Sequence, residues 1–345
     1  MEGKAMFVVR PVETGDIPAF EAMTTYPAPC VHTLPRSRAA IEDAVACSIA
    51  SFASAPQKPA DESYLFVLAS TEDGSLAGTA SIAATAGAHG AFYAFRRDVL
   101  SQVSRDLGIS HNVHALSLCS DLTSHSQLSG FHLVRGERIH AALLSRARLL
   151  FAALAPQRFA NRFFASVSGP VDGDGRSPFW EALGRKFFQM DFLAAERLVG
   201  GARNRGFIVE LMPHYPVYVP LLPAAAQQAL GQVHAEAGQA FDILREEGFE
   251  SDVYVDAFDG GPVLQAPKKA LSAFSRSRRK RAAAMTGPAA EQARLHLVAA
   301  AGGRGFRAVL ARCEVSGRSD AVALDDQALR SLQVSPGDTV LCLKL

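Results

Sequence analysis

Two periods of apolar residues alternate along the first half of the chain. Short apolar runs bounded by turn residues are typical of strands, and apolar residues three or four positions apart are typical of helices. These patterns predict strands at 6–10, 64–69, 76–84, 114–119, 127–134 and 162–168, and helices at 16–23, 38–52 and 139–154. The turn signal Asp73-Gly74 predicts an antiparallel hairpin of 64–69 with 76–84, and we expect 114–119 to pair with 127–134. This order of elements predicts an α/β (α+β) fold, a mixed sheet with helices packed on it.

The second half of the chain contains two similar segments, 179–188 and 241–249, each reading as a helix that runs into an aromatic strand start. In the second segment Gly248 is the expected left-handed end of the helix. A partial duplication and a chance similarity both account for the resemblance. From Leu295 onward, short strand-like runs separated by Gly and Pro predict a small β unit. We therefore divide the chain into a main domain at 6–265, a basic linker at 266–290 and a C-terminal β unit at 291–345.

Composition excludes several classes of protein. The 345 residues are 48% hydrophobic and 20% charged, which is typical of a folded globular chain and argues against disorder. The formal net charge of +1 argues against electrostatic binding of nucleic acid by the molecule as a whole. Residues 268–281 do carry seven Lys or Arg, but Phe274 is the one aromatic residue among them. We interpret this run as a solvated linker or helix face and expect no nucleic-acid partner.

The cysteines and the apolar runs indicate the cellular compartment of the protein. Five cysteines are scattered and none has CxxC spacing, so we predict neither a disulfide framework nor a metal site. Reduced, mostly buried thiols are the expected state. No apolar run reaches membrane-spanning length and the N-terminus has no secretory signal pattern, so we expect a cytoplasmic protein without a membrane partner.

Several long motifs resemble one enzyme family. They are FVVRPVETGD, HALSLCSDLT, SPFWEALGRKFFQMDF, VELMPHYPVYVPLLP, GQVH, REEGFE and DAFDGGP, spread over nearly the whole chain. Together they are similar to the arginine N-succinyltransferase family, and most of all to alpha subunits of its two-subunit arginine/ornithine enzymes. The resemblance implies the acyl-CoA N-acyltransferase (GNAT-like) fold. It also implies transfer of succinyl from succinyl-CoA to the α-amine of arginine, or of ornithine, in arginine catabolism. Succinyl-CoA is then a co-substrate, no cofactor is expected, and a beta subunit is the expected protein partner.

His234 is the residue that the resemblance assigns to catalysis. It ends the GQVH motif between two predicted helices and matches the family's proton-donating histidine. Acyl transfer from a thioester needs a neutral amine, donors for the oxyanion and a proton for the leaving thiolate. A structural histidine bonded to a nearby carbonyl is the alternative interpretation. Ala235 departs from the family pattern, which has proline at this position.

The expected succinyl-CoA site is the strand 127–134 and the loop after it. Phe131 matches the family's succinyl-CoA contact. The loop 135–141 keeps a single glycine, Gly136, where the family has a run of glycines that lets backbone N–H groups approach the pyrophosphate. Arg135 and Arg138 are the candidate replacements as direct phosphate ligands. The alternative is a loop that has lost strong CoA binding, in a weak or inactive subunit that stabilises a catalytic beta partner.

The arginine site is predicted from charge alone. A guanidinium needs acidic partners, and Glu210 and Asp256 lie on or near predicted strand ends. His32 and Thr33, in the loop VHTLP, are candidates for the wall of the acceptor pocket. Solvated surface carboxylates and an ordinary Pro-containing loop are the alternatives. Ser177, Phe179 and Trp180 are interpreted as capping and core residues rather than ligands.

Overall fold

The computed structural model describes residues 6–25, 34–35, 37–199, 210–285, 293–302, 305–315 and 319–345. Its strands, in chain order, are β1 Phe7–Pro11, β2 Ser63–Ser70, β3 Leu76–Ala83, β4 Ala94–Ser104, β5 Ile109–Cys119, β6 Ser126–Leu133, β7 Arg162–Ser166, β8 Val217–Tyr218, β9 Glu250–Asp256, β10 Pro262–Pro267, β11 Arg278–Ala284, β12 Arg294–Gly302, β13 Gly305–Cys313, β14 Ala321–Leu324 and β15 Thr339–Lys344. The α-helices are α1 Ile17–Thr25, α2 Arg38–Ala53, α3 Arg138–Leu154, α4 Pro178–Ala182, α5 Gly184–Phe188, α6 Phe192–Val199, α7 Ala224–Ala229, α8 Gly238–Glu247, α9 Ser272–Ser275 and α10 Asp326–Leu332.

The described strands form one mixed sheet in the order β14-β11-β15-β12-β13-β1-β2-β3-β6-β7-β10-β9-β4-β5-β8. β1 joins its two halves, because Val8 and Val9 pair with Val309 and Ala308 of β13. The strands of the C-terminal region therefore continue the main sheet. Within the described residues, β6 runs parallel to β7 and β11 runs parallel to β14, and the other paired strands are antiparallel.

β2 shows why its sequence has no polar alternation. Its side chains pack alternately on the two faces of the sheet, and helices cover both faces. Phe66 and Leu68 lie in the core that contains α3. Leu65 and Val67 lie in the core that contains α1 and α2. A strand buried on both faces needs apolar residues at successive positions, which explains the run YLFVLA.

α3 is the helix at the centre of the main core. Leu143, Leu144, Ala147, Leu150 and Phe151 recur at helical spacing, and each is at most 6% exposed. They pack with residues of β1, β2 and β3 and with the C-terminal strands β12, β13 and β15. This packing fixes the direction in which α3 leaves the loop that follows β6.

Most of the predicted elements are confirmed, with one wrong pairing. The hairpin of β2 with β3 is observed, and α2 and α3 begin and end within one residue of their predicted limits. β5 and β6 do not pair with each other. The sequence analysis missed β4, in which charged residues interrupt the apolar pattern, and β4 pairs with β5 along their whole length. β6 instead lies between β3 and β7.

The two similar junctions of the second half differ in structure. α8 ends at Gly248, which has φ +113°, and the chain continues into β9 as predicted. The first segment runs from α4 into α5, and its aromatic residues Phe187 and Phe188 are helical rather than the start of a strand. The predicted division at 6–265, 266–290 and 291–345 stays a prediction.

The end of the basic run is a strand rather than a linker or a helix face, although five of its seven basic side chains are exposed, as expected of a solvated segment. After the short helix α9, residues 278–284 form β11, which pairs with β15 on one side and β14 on the other. Lys280 is 8% exposed and donates to the Ser319 carbonyl. Lys280 thereby connects β11 to the residues that precede β14.

Candidate active site

A cavity of about 260 Å³ opens where β6 and β7 part. The two strands pair in parallel only over residues 126–128 and 163–165. Beyond that point β6 continues along β3 to Leu133, whereas β7 ends at Ser166. The wall consists of residues 128–133 and 165–168, with parts of α3, of the turn before α8, of α8 itself and of the turn after β9.

A bulge at Gly130 accompanies the parting of the strands. Thr79 faces His132 and Ser81 faces Ser129, so β6 has one residue more than β3 between these two pairs. Gly130 has φ +59°, and a Cβ there would come within 2.8 Å of Ser81 Oγ. The Thr79 hydroxyl donates to the Gly130 carbonyl at 3.0 Å. Because a bulge bends its strand, the sequence SGF directs the end of β6 away from β7.

His234 is held beside this cavity by two hydrogen bonds to residues of the wall. Its backbone N–H donates to the Ser168 carbonyl at 2.8 Å. Its Nδ1 accepts from the Glu236 backbone N–H at 3.2 Å, and the side chain is half-buried. Since Nδ1 is the acceptor, the neutral imidazole carries its proton on Nε2. The geometry therefore leaves Nε2 as the atom that can donate a proton.

Asp259 fixes the turn against which the histidine segment lies. It is 2% exposed, and its two carboxylate oxygens each accept a backbone N–H at 2.8 Å, from Gly169 and from Gly261. The two glycines are in backbone contact, because a Cβ on Gly261 would lie 2.4 Å from the Gly169 nitrogen and a Cβ on Gly169 would lie 2.7 Å from the Gly261 nitrogen. The Gly231 N–H in turn donates to the Gly260 carbonyl at 2.8 Å. The motifs GQVH and DAFDGGP thus form one contiguous backbone unit.

Residues of the SPFWEALG motif pack against this turn. Trp180 stacks on Phe258 with ring centroids 5.4 Å apart and planes 12° apart. Phe179 and Trp180 are fully buried, and the Ser177 hydroxyl accepts from the Trp180 N–H as the N-cap of α4. Their interpretation as core and capping residues is confirmed.

Three acidic residues line the cavity. Asp256, at the end of β9, is 5% exposed, and its Oδ1 accepts from the Phe258 N–H at 2.9 Å. Asp259 and Glu236 are the other two. Of the three residues predicted to bind arginine, Asp256 is thus the one that the structure places in the cavity wall.

The predictions for Glu210 and His32 differ in outcome, because the structure describes Glu210 but not His32. Glu210 lies in helical backbone rather than near a strand end, is exposed, and is not part of the cavity wall. The prediction of its position was wrong because the apolar letters before it suggested a strand. His32 and Thr33 lie outside the described residues.

Phe131, the predicted succinyl-CoA contact, lies in the cavity wall, whereas Arg135 and Arg138 do not. Both arginines are about half exposed and are engaged with surface acids. Arg138 donates to Glu246 at 2.6 Å and lies 3.8 Å from Asp242, and Arg135 lies 4.0 Å from Asp73. Exposed pairs of this kind contribute about 0–1 kcal/mol, so a phosphate can displace them.

The N-terminus of α3 carries its own anionic cap. The Glu137 carboxylate accepts from the His140 backbone N–H, and His140 Nδ1 accepts from the Glu137 N–H at 3.0 Å. Gly136 precedes this cap with φ +131°. A carboxylate at this position occupies part of the electropositive helix end that would otherwise attract a phosphate.

Arg148 is one of the wall residues that the sequence patterns did not predict. It lies in α3, is 2% exposed and is part of the cavity wall. A signal existed, because Leu144 and Phe151, one helical turn away on either side, belong to the apolar face. A basic residue on a buried helix face is uncommon and usually has a specific partner.

Comparison with known proteins identifies the family. The model of the family described as arginine N-succinyltransferase beta subunit matches residues 7–273, and the model of its C-terminal domain matches residues 278–344. The chain belongs to the arginine N-succinyltransferase family.

Individual members of the arginine N-succinyltransferase family match along nearly the full length. The arginine N-succinyltransferase subunit alpha of Pseudomonas aeruginosa is 41% identical, covering 97% of this chain and 98% of that protein. The Escherichia coli arginine N-succinyltransferase is 32% identical, covering 99% of this chain and 98% of that protein. The arginine N-succinyltransferase subunit beta of Pseudomonas aeruginosa is 35% identical, covering 78% of this chain and 79% of that protein. The prediction of an arginine N-succinyltransferase made from the motifs is confirmed at the level of the family.

A solved structure confirms the fold class. The arginine/ornithine succinyltransferase subunit AI from Pseudomonas aeruginosa has a TM-score of 0.88 and 38% identity to this chain, and 99% of each chain is covered. The mixed sheet with flanking helices predicted for this arginine N-succinyltransferase family member is the observed architecture.

In the part of the chain that the structure describes, no three His, Cys, Asp or Glu side chains form a group that could hold a metal ion. No described helix is both long enough and apolar enough to cross a bilayer. The described cysteines, Cys47, Cys119, Cys313 and Cys342, are free and buried or half-buried, and burial raises the pKa of Cys313 to about 11. Cys30 lies outside the described residues.

Proposed function

We propose that this chain is a subunit of an arginine N-succinyltransferase that transfers succinyl from succinyl-CoA to the α-amine of arginine or ornithine. The observation that carries the proposal is the cleft between the splayed ends of β6 and β7, with His234 fixed at its edge. The family membership supports it over the whole chain. An alpha-type subunit implies a beta-type subunit as its partner.

His234 supplies the proton in this proposal. The amine nitrogen attacks the thioester carbonyl, the new C–N bond forms, and the C–S bond breaks. As the C–S bond breaks, the leaving thiolate takes the Nε2 proton while the attacking nitrogen gives one proton to the ring in the same step. The imidazole is therefore neutral before and after, and no imidazolate forms. The Ser168 carbonyl and the Glu236 N–H set the orientation of the ring, which a proton transfer over hydrogen-bond distance requires.

The residues that line the cavity suit the two substrates. Phe131 on β6 lies where we propose the succinyl-CoA thioester. Asp256, Asp259 and Glu236 also line the cavity, and their negative charge favours the guanidinium of arginine or the side-chain ammonium of ornithine. Arg135 and Arg138 remain the candidate phosphate ligands, on condition that they leave their surface acids.

A second function is favoured by the cap of α3. Glu137 occupies the helix end that would hold the pyrophosphate, so the chain alone would bind CoA weakly and act mainly by stabilising a catalytic beta subunit. The two functions differ in what the isolated chain does.

An assay of thiol release decides between them. The purified chain, a beta subunit, and the two together are each supplied with succinyl-CoA and either arginine or ornithine. Release of CoA by the chain alone, dependent on the amino acid, is expected for the transferase. Release only from the mixture, unaffected by His234→Gln in this chain, would establish the partner role instead.

A further inference from the structure

Arg148 brings a positive charge into the cavity wall with no negative charge to balance it. Its Nε donates to the Ser145 carbonyl at 3.1 Å, and its Nη1 donates to the Ser81 and Ser129 carbonyls, each at 3.2 Å. Its Nη2 donates to Ser145 Oγ at 3.0 Å. All four acceptors are neutral. Within the described residues no carboxylate forms an ion pair with this guanidinium.

A buried guanidinium with only neutral partners lowers the stability of the fold unless a ligand supplies a negative charge. Transfer of a charged group out of water costs several kcal/mol, and neutral carbonyls recover only part of this. Burial alone lowers the pKa of Arg148 to about 9. The guanidinium has five N–H donors, of which the four bonds use one each, so one donor on Nη2 is left for a ligand.

The position of Arg148 indicates which part of a ligand it meets. Its guanidinium lies 5.8 Å from the ring centroid of Phe131, the candidate succinyl-CoA contact. It is ten residues along α3 from Arg138, which corresponds to about 15 Å at the helical rise. An anion at Arg148 is therefore far from the predicted pyrophosphate loop and close to the predicted acyl end of the thioester. The acidic residues Asp256 and Asp259 also line the cavity, but the hydrogen bonds of Arg148 go to Ser81, Ser129 and Ser145.

We propose that Arg148 binds the terminal carboxylate of the succinyl group and thereby selects succinyl-CoA over neutral acyl-CoA thioesters. The inference rests on the proposed function, since it names the residue that recognises the acyl donor. A carboxylate that accepts from the remaining Nη2 N–H gains a charge-assisted hydrogen bond that a methyl group cannot make. The same residue holds the Ser129 carbonyl next to the β6 bulge, so the carboxylate site and the parting of the strands share one side chain.

Butyryl-CoA is the matched probe, because it has the same chain length with a methyl group in place of the carboxylate. Calorimetry without any acceptor amine measures the affinity of the parent chain for succinyl-CoA and for butyryl-CoA. We expect a preference for succinyl-CoA of roughly 10- to 10²-fold, the range for a hydrogen bond to a charged group. Arg148→Met should remove the preference, and Arg148→Lys, which keeps the charge without the fork, should retain part of it.

Arg158→Met is the control variant. Arg158 also donates to backbone carbonyls, those of Ser51 and Ser54, but it is not part of the cavity wall, so its loss should leave the preference unchanged. Thermal unfolding of each variant checks that it is folded. If Arg148→Met does not fold, the comparison of the parent with Arg148→Lys decides the matter: an undiminished preference in the lysine variant overturns the proposal.

The outcomes separate this inference from the proposed function. Equal affinity of the parent for both thioesters, or an unchanged preference in Arg148→Met, overturns the role of Arg148 even when succinyl transfer occurs. A preference that depends on Arg148 supports it even when no amine is succinylated. Binding of neither thioester overturns both. Agmatine, which is arginine without its α-carboxylate, tests whether Arg148 binds the carboxylate of the acceptor instead. If Arg148→Met loses the preference for arginine over agmatine but keeps the preference for succinyl-CoA, Arg148 binds the acceptor and the proposal is overturned.

Discussion

The His234 backbone N–H donates to the Ser168 carbonyl at 2.8 Å, so the residues that follow β7 determine where the histidine lies. Ser168 belongs to the cavity wall, and Val167 next to it touches the turn after β9. A change in either loop would therefore move His234 relative to the cleft. This relationship explains why GQVH and DAFDGGP, separated by more than twenty residues, act as one unit.

His234→Gln should lower kcat by roughly 10²–10⁴-fold, the usual effect of removing a general acid or base. The backbone bond to Ser168 does not depend on the side chain, so the affinity for succinyl-CoA should change little. Steady-state kinetics and calorimetry measure the two quantities. His214→Gln is the matched control, because His214 is exposed and lies outside the cavity wall. Parent-like kcat in His234→Gln would rule out the proton-donor assignment.

The sequence predicts the sheet well where each strand has an unmistakable pattern. β2 and β3 form the expected hairpin because Asp73-Gly74 provides a tight turn between two apolar runs. The wrong partner for β5 has a physical cause. β4 contains Arg96, Arg97 and Asp98, and Arg96 pairs with Asp98 and Asp121 at the surface, so this half-exposed strand lacks a continuous apolar signal. Pairing between distant strands also depends on contacts that local patterns do not encode.

The site is predictable only in part for a related reason. His234 and Phe131 are predicted from the family resemblance and Asp256 from its charge near a predicted strand end, and their roles stay predictions. Arg148 and Asp259 act through burial, and burial depends on tertiary packing. Arg135 and Arg138 were expected at phosphates because of their position in the loop. The acids that hold Arg138, Asp242 and Glu246, lie about a hundred residues away in sequence, so local patterns could not show them.

Glu247 should make stability depend on pH. The residue is 1% exposed, and burial raises the pKa of its carboxyl group from 4.5 to about 7, although it accepts from the Ala273 N–H at 2.6 Å and lies 3.2 Å from Arg146 Nε. Because the folded-state pKa is raised, the folded chain binds the extra proton. Its contribution to stability is therefore fully present below about pH 4.5 and is lost as the pH rises through 7.

Urea unfolding at pH 5 and pH 8 measures this effect. The parent should lose stability relative to Glu247→Gln over that interval, by a few kcal/mol at most, since a shift of one pKa unit corresponds to about 1.4 kcal/mol. Glu246→Gln is the control, because Glu246 is its exposed neighbour and also pairs with Arg146. The idea fails if the parent and Glu247→Gln show the same change in unfolding free energy between the two pH values.

The basic run should not give specific nucleic-acid binding. Alternation along β11 places Arg279 and Arg281 on one face of the sheet and Arg278 and Lys280 on the other. Arg281 also donates to the Gly337 carbonyl at 3.0 Å. A gel-shift assay at physiological salt should show only association that weakens steeply as salt rises. A tight, sequence-selective shift that disappears on replacing Arg278 and Arg279 with Gln would contradict this expectation.

The cap of α3 should control the affinity for succinyl-CoA. Glu137→Gln keeps an acceptor for the His140 N–H but removes the negative charge from the helix N-terminus. If the pyrophosphate binds at this end, the affinity should rise by about two- to fivefold, the effect of one charge at a helix terminus. Arg138→Ala should weaken binding, because Arg138 is the candidate phosphate ligand.

Calorimetry on the isolated chain measures these affinities, and Arg185→Ala is the control. Arg185 is a similarly exposed arginine paired with Glu181, in α5 rather than at the loop, so its loss should leave succinyl-CoA binding unchanged. If neither Glu137→Gln nor Arg138→Ala alters the affinity, the pyrophosphate does not bind at the N-terminus of α3. If the parent binds no succinyl-CoA and Glu137→Gln does not restore binding, the loop has lost its phosphate site. This chain would then act through its beta-type partner.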